Sequence, residues 1–129
     1  MARHHRTLKL RATVICLCDG EILLVRKRGR KWNFPGGTIE AGELPVEAAM
    51  REMEEEASLQ LEGLLALCTL NICNRTHYIF TAQLDSKRHV AANHEICACK
   101  WIRHDGLNHC FLTTMATALV ATQLPVLSR

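Results

Sequence analysis

The stretch GTIEAGELPVEAAMREMEEEASL, residues 37–59, organises the reading of this chain. Within it, Pro45–Ala57 carries the strongest helix signal, with Pro45 in the first turn, where a missing N–H costs nothing. With about 100° of turn per residue, Glu55 and Glu56 fall roughly 60° and 40° to either side of Glu52. Val46, Ala49, Met50, Met53 and Ala57 form an apolar stripe beside them, and Ala48 falls among the carboxylates. Helix stability alone does not select this pattern. Like charges at i,i+4 cost about 0.2–0.5 kcal/mol per pair, and the helix dipole disfavours anions in the last turns. A solvated acidic face is the bland reading. The sharper one is a hard divalent cation, because oxygen ligands on one rigid face suit Mg²⁺ or Mn²⁺. Arg51 lies one turn from both Glu47 and Glu55 and reads as a helix brace.

Upstream residues favour the cation. Gly36-Gly37 follows Pro35 and is expected to turn tightly, letting backbone approach a ligand. Glu43 stands just before the helix and can fold back toward its face. Arg26, Lys27, Arg28, Arg30 and Lys31 form a basic cluster suited to phosphate oxygens. Further out, Thr7–Cys18 and Glu21–Arg28 are apolar runs around Asp19-Gly20, the signature of a hairpin with a type I′ turn. Trp32–Phe34 and Thr38–Glu40 read as short extended pieces. Leu59–Leu70 and Arg75–Asp85 predict two strands around a turn at Asn71–Asn74. Ser86–His94 reads as a polar loop, Glu95–Arg103 as a strand with Glu95 at its entrance, and Leu112–Leu124 as a helix ended by Pro125. That succession predicts a mixed sheet covered by helices on its faces.

Composition sets the bounds. The 129 residues suit one domain, and 48% apolar with 22% charged residues argues against disorder and coiled coil. Six aromatic residues leave few platforms for stacking single-stranded nucleic acid, and a net charge of +3 is too mild for a nucleic-acid footprint. The N-terminus carries Arg3 and Arg6 and shows no signal-peptide core; the uncharged run Gly106–Ser128 holds four Thr and reads as a packed terminal helix. A cytoplasmic location is expected. Seven Cys without C-x2-C spacing read as reduced core thiols, with Cys16/Cys18 and Cys97/Cys99 each on one strand face. The seven His show no ligand spacing.

At this point the residues resemble the Nudix family, whose box is G-x5-E-x7-R-E-U-x-E-E-x-G-U with U aliphatic. Gly37, Glu43, Arg51, Glu52, Glu55 and Glu56 match it, and Ser58 stands where the pattern has Gly. Trp32-Asn-Phe-Pro-Gly-Gly37 and Glu95-x5-Trp101 are similar to the family's flanking segments. The resemblance implies an α/β/α sandwich with a mixed β-sheet and the box as loop–helix–loop. It implies a Mg²⁺-dependent hydrolase, with Mn²⁺ as substitute, of MutT-like type. It further implies Glu52, Glu55 and Glu56 as metal ligands or catalytic carboxylates, Glu43 as a ligand through water, and Gly37 as a backbone carbonyl ligand. Arg51 is implied to orient the glutamates, and Glu95 to be a further ligand or the general base.

The expected reaction is (d)NTP to (d)NMP plus pyrophosphate, with Glu52 preferred over Glu95 as acceptor of the water proton. Arg26, Arg28 and Tyr78 are the substrate-binding candidates, and Asn108–Thr114 the base-reading segment. Tyr78 and Phe80 are assigned to opposite faces of their strand, so that one faces the ligand. A non-catalytic nucleotide-sensing or protein-binding module and an RNA 5′-end pyrophosphohydrolase stay open as alternatives. The expected partner is a nucleotide; a membrane is not expected, nucleic acid is disfavoured, and a homodimer is left open.

Overall fold

The computed structural model describes residues 9–87 and 90–127; Arg3, Arg6, Thr7, Leu8, Arg88, His89 and Ser128 lie outside the described residues. Strands β1 (Leu10–Cys18) and β2 (Glu21–Lys27) form the expected hairpin, with Asp19 and Gly20 at φ of 52° and 76°. Two successive positive φ values match the type I′ requirement. The two strands share only the pairs Leu17–Ile22 and Cys18–Glu21 and then part. β1 continues parallel to β6 (Arg75–Gln83) and antiparallel to β4 (Gly36–Thr38). β2 takes β3 (Trp32–Asn33) and β7 (Ile96–Arg103) antiparallel, and β5 (Leu65–Ile72) closes the other edge against β6. The sheet is mixed, as expected.

Period-two alternation along β1 divides the core. Ala12, Val14 and Cys16 pack with Ala48, Ala49 and Met53 of helix α1 (Pro45–Ala57). Ile15 on the other face packs with Phe34, Ile79, Ala116 and Leu119, the last two from helix α2 (Thr114–Ala121). Two helices thus cover opposite faces, the α/β/α sandwich that the sequence implied. No helix among the described residues is long and apolar enough to cross a membrane.

Several expectations are corrected. Gly36-Gly37 does not turn: Gly36 pairs with Thr13 and Gly37 with Ala12 as strand residues of β4. A side chain at Gly36 would meet the Ala12 carbonyl oxygen at 2.2 Å, so glycine is needed for strand approach. The strand expected from Leu59 starts at Leu65, because Leu59 and Leu61 leave α1 as buried plugs of the core. It then runs to Ile72, and the turn narrows to Cys73 and Asn74, both at positive φ. Helix α2 starts two residues late because the Thr113 hydroxyl caps it, accepting from Ala116 N–H at 3.1 Å. The α1 stripe is rotated: Ala48 and Glu56 are buried while Met50 is exposed. Of the thiols, Cys16 and Cys18 are buried, but Cys73 and Cys97 are exposed at a turn and on a strand's outer face. Tyr78 and Phe80 share a face, since residues two apart in a strand must, and both pack on the α1 side.

Helix α1 ends at Ser58, which adopts φ 57° and ψ 32°, the left-handed conformation. Its N–H reaches the Glu54 carbonyl at 3.0 Å and Leu59 N–H reaches Met53 at 3.3 Å, satisfying the last carbonyls. The strain is partly offset, because Ser58 Oγ donates to the Ala91 carbonyl at 3.1 Å. Ser58→Gly is therefore expected to stabilise by less than about 1 kcal/mol, read as a small rise in the thermal midpoint. A fall would show that the Ala91 bond outweighs the backbone strain.

Candidate active site

Arg51 gathers the acidic residues. Its Nε and Nη2 donate to the two oxygens of Glu43 at 2.8 and 3.0 Å, a fork-to-fork pair. Nη1 donates to Glu52 Oε1 at 2.8 Å and Glu55 Oε2 at 3.2 Å, and Nη2 also reaches the Thr38 carbonyl at 3.2 Å. The Arg51 bonds, and then a bond from Glu40 N–H, hold the Glu43 carboxyl down at about 2. Of the two i,i+4 partners expected for Arg51, Glu55 is engaged, while Glu47 instead accepts from Leu44 N–H at 2.8 Å at the helix start. The main partner of Arg51 is Glu43 in the preceding loop.

Glu56 is placed differently. Only 5% of it is exposed, and its Oε1 accepts from Gly36 N–H at 2.8 Å. Burial pushes its carboxyl up to about 7, against the opposing pull of the Gly36 bond. Beside it, Gly37 lies so close to Glu52 that a Cβ would come within 2.5 Å of that carboxylate. Glu52 is a flexible side chain, so Gly37→Ala should fold while displacing the carboxylate. We expect kcat to fall at least about tenfold with the thermal midpoint lowered only slightly. Unchanged turnover would remove Gly37 from the site.

On the side of the sheet where β4 joins β1, a cavity of about 540 Å³ is lined by Arg11, Lys27, Arg28, Arg30, Lys31 and Arg75, with Gly36 and Glu95. Six cations face one space. Glu95 pairs with Lys27 at 3.3 Å, so the cavity holds one carboxylate against those charges.

The structure thus brings Gly37, Glu43, Arg51, Glu52 and Glu55 together, with Glu56 buried alongside. Glu95 stands apart at the cation cavity, in contact with Lys27 rather than with Arg51. Arg28 lines that cavity, but Arg26 does not: its guanidinium lies over the Trp32 ring at 5.4 Å. Strand alternation turns Arg26 away from Lys27. Tyr78 does not line that cavity either: it packs in the α1 layer, while its neighbour His77 lines a second, smaller cavity on the other face. Of Asn108–Thr114, Thr113 borders the cation cavity, and Thr113 and Thr114 border the smaller one.

Arg11, Arg75 and Asn33 were not anticipated as cavity residues. The one sequence signal for Arg11 was an arginine inside an apolar strand without a nearby acidic residue; Arg75 joins it only because β6 runs parallel to β1. Among the described residues, no three His, Cys, Asp or Glu side chains form a ready-made metal cage. A cation that keeps several waters needs fewer protein oxygens than that. The carboxylates beside Gly37, in a cradle a Cβ would fill, have the right donor chemistry.

The family model for the NUDIX domain matches residues 8–122, and the chain belongs to the Nudix family. Nudix hydrolases cleave phosphoanhydrides and generally use divalent metals. An RNA pyrophosphohydrolase of Aeromonas hydrophila is 39% identical over 57 residues, 43% of this chain and 33% of that protein. The match therefore spans about a third of that relative's length. A MutT structure from work on Aliivibrio salmonicida and Vibrio cholerae superposes with a TM-score of 0.77 at 20% identity, covering 95% of this chain and 98% of that one. A bifunctional NMN adenylyltransferase/ADP ribose pyrophosphatase of Francisella tularensis, complexed with AMP and a Mn ion, gives 0.81 at 16% identity over 98% of this chain and 44% of that one. At these identities the structural likeness establishes the fold.

Proposed function

We propose that this chain is a Mg²⁺-dependent nucleotide pyrophosphohydrolase converting (d)NTP to (d)NMP and pyrophosphate. One observation carries the reading: a cavity with six cations ends at Gly36, whose N–H holds Glu56 and whose neighbour Gly37 touches Glu52. Polyphosphate-binding charge and metal-type carboxylates therefore meet at one glycine pair. Glu52, Glu55 and Glu56, with the Gly37 carbonyl, would hold the cation, and Glu43 would take part through water. Bound there, a divalent ion neutralises phosphoryl oxygens and lowers the pKa of water.

The chain's own groups do the rest. Arg11, Arg28 and Arg75 bind phosphate oxygens and orient the chain of phosphates for in-line attack. Arg51 fixes Glu52 through Oε1, leaving Oε2 to accept the proton of the attacking water. Glu95 is the weaker base candidate, since its side chain is 69% exposed and tied to Lys27.

The test is turnover of a nucleotide panel with Mg²⁺, separating pyrophosphate from phosphate. Triphosphates should be cleaved faster than ADP-ribose or dinucleoside polyphosphates, giving monophosphate and pyrophosphate. Preferential cleavage of ADP-ribose would reject this substrate class. A second reading, removal of pyrophosphate from RNA 5′ ends, draws on the Aeromonas relative and on the loop cations Arg28, Arg30 and Lys31 at the cavity. A 5′-triphosphorylated RNA oligonucleotide cleaved faster than free nucleotide would select it.

A further inference from the structure

Arg11 lines both the cation cavity and a smaller one beside it, about 340 Å³, bordered by Asn33, Arg75, His77 and Thr113. Behind it stand two polar residues with no exposed surface, Thr13 and His77. They occupy the sheet face that becomes apolar two residues on, at Ile15 and Ile79. Burying an imidazole and a hydroxyl there costs desolvation that an apolar pair would avoid. Stability alone does not explain their presence.

Their hydrogen bonds have a fixed direction. His77 Nε2 lies 3.3 Å from the Ile72 carbonyl oxygen, which can only accept, so Nε2 carries the hydrogen. In the neutral ring Nδ1 is then an acceptor, and it lies 3.4 Å from Thr13 Oγ1. The Thr13 hydroxyl therefore donates to His77, which leaves its oxygen lone pairs facing Arg11. Arg11 Nε donates to that oxygen at 3.2 Å, and its Nη2 donates to the Phe34 carbonyl at 3.4 Å. Burial holds the His77 pKa below its ordinary value, so the neutral ring is the resident form. The parallel register supports the arrangement, since Arg11 and His77 are direct partners across β1 and β6.

The guanidinium is thus fixed along one edge, and among the described residues Nη1 makes no hydrogen bond, which leaves its hydrogens for a ligand. A long side chain held this way loses less rotamer entropy when it binds an anion. We propose that Thr13 and His77 are positioning residues for substrate: His77 orients the Thr13 hydroxyl, and that hydroxyl aims Arg11 at the phosphoryl oxygens. The proposal rests on reading the cavity as the polyphosphate site.

The experiment compares Thr13→Val, Thr13→Ser and Arg11→Ala. It measures KM and kcat for ATP with Mg²⁺, and affinity for inorganic tripolyphosphate by calorimetry. Thr13→Val should raise KM and weaken tripolyphosphate binding about tenfold with kcat within about twofold, and Thr13→Ser should restore both. Arg11→Ala should lose at least as much, and adding Thr13→Val to it should cost nothing further. If the buried Val prevents folding, His77→Leu makes the same comparison by removing the acceptor for Thr13. Normal tripolyphosphate affinity in the Val or Leu variant, beside a weakened Arg11→Ala, would overturn the positioning role and leave the cavity reading standing. Normal affinity in Arg11→Ala as well would overturn the cavity reading itself. A fall in kcat with KM unchanged in Thr13→Val would also overturn the proposal.

Discussion

Replacing Glu56 by Gln is expected to disable turnover and stabilise the fold in the same variant. The loss of activity follows from charge: a carboxylate that helps hold a divalent ion cannot be replaced by an amide. A drop in kcat of at least about 10²-fold is expected. The gain in stability follows from burial. The folded Glu56 carboxyl sits at about 7, raised from an ordinary 4.5 chiefly by desolvation. A raised carboxyl contributes stability below its unfolded pKa and loses it as pH climbs through the folded one. The wild-type protein should therefore weaken between pH 4.5 and about 7 and then level off. Gln imitates the neutral acid, keeps an oxygen for Gly36 N–H and has no such slope. Urea denaturation with chelator present should show the variant more stable at pH 8 by on the order of 2–3 kcal/mol, with the gap closing toward pH 4. A variant of wild-type stability at both pH values would contradict the burial argument; wild-type kcat would contradict the metal role.

That prediction depends on something the helical wheel concealed. The wheel placed Glu56 within a few tens of degrees of the apolar stripe, and its charge argued for the solvent side. The structure resolves the conflict toward burial, because the Gly36 N–H supplies a partner across 20 residues of sequence. Such a partner leaves no trace in local pattern. What pattern did carry was the helix from Pro45 to Ala57, the Asp19-Gly20 hairpin and the alternation of β1, all set by neighbours close in sequence. The box spacing likewise carried the acidic cluster, since its members lie on one helix and the loop before it. Legibility failed where parallel pairing intervenes. Arg75 and His77 reach Arg11 only through the β1–β6 register, and Tyr78 is turned away by the same register. Gly36-Gly37 was misread for a related reason: glycine permits both a turn and a close strand approach, and only β1 decides between them.

The second large effect belongs to Arg51. Glu40, Glu43, Glu52 and Glu55 all lie within 4 Å of its guanidinium, the farthest at 3.8 Å. Arg51→Ala would leave these carboxylates facing one another without a counterion, two of them largely shielded from water at 14% exposure. A cost of about 2–4 kcal/mol at pH 7 is expected, with kcat down about 10²-fold as Glu52 loses its fixed orientation. The pH dependence has the opposite sign to that of Glu56. Glu43 sits at about 2 because Arg51 bonds its ionised form, so that stability is present above 4.5 and disappears as pH falls toward 2. The gap between wild type and Arg51→Ala should accordingly be widest near pH 7 and narrow steadily in acid. Lysine is the sharper control. A single ammonium cannot make a fork with Glu43 while also bonding Glu52 and Glu55. Arg51→Lys should therefore keep part of the stability and little of the activity. If Lys restored both, net charge alone would explain the residue, and the fixed geometry assigned to Glu52 would have no support.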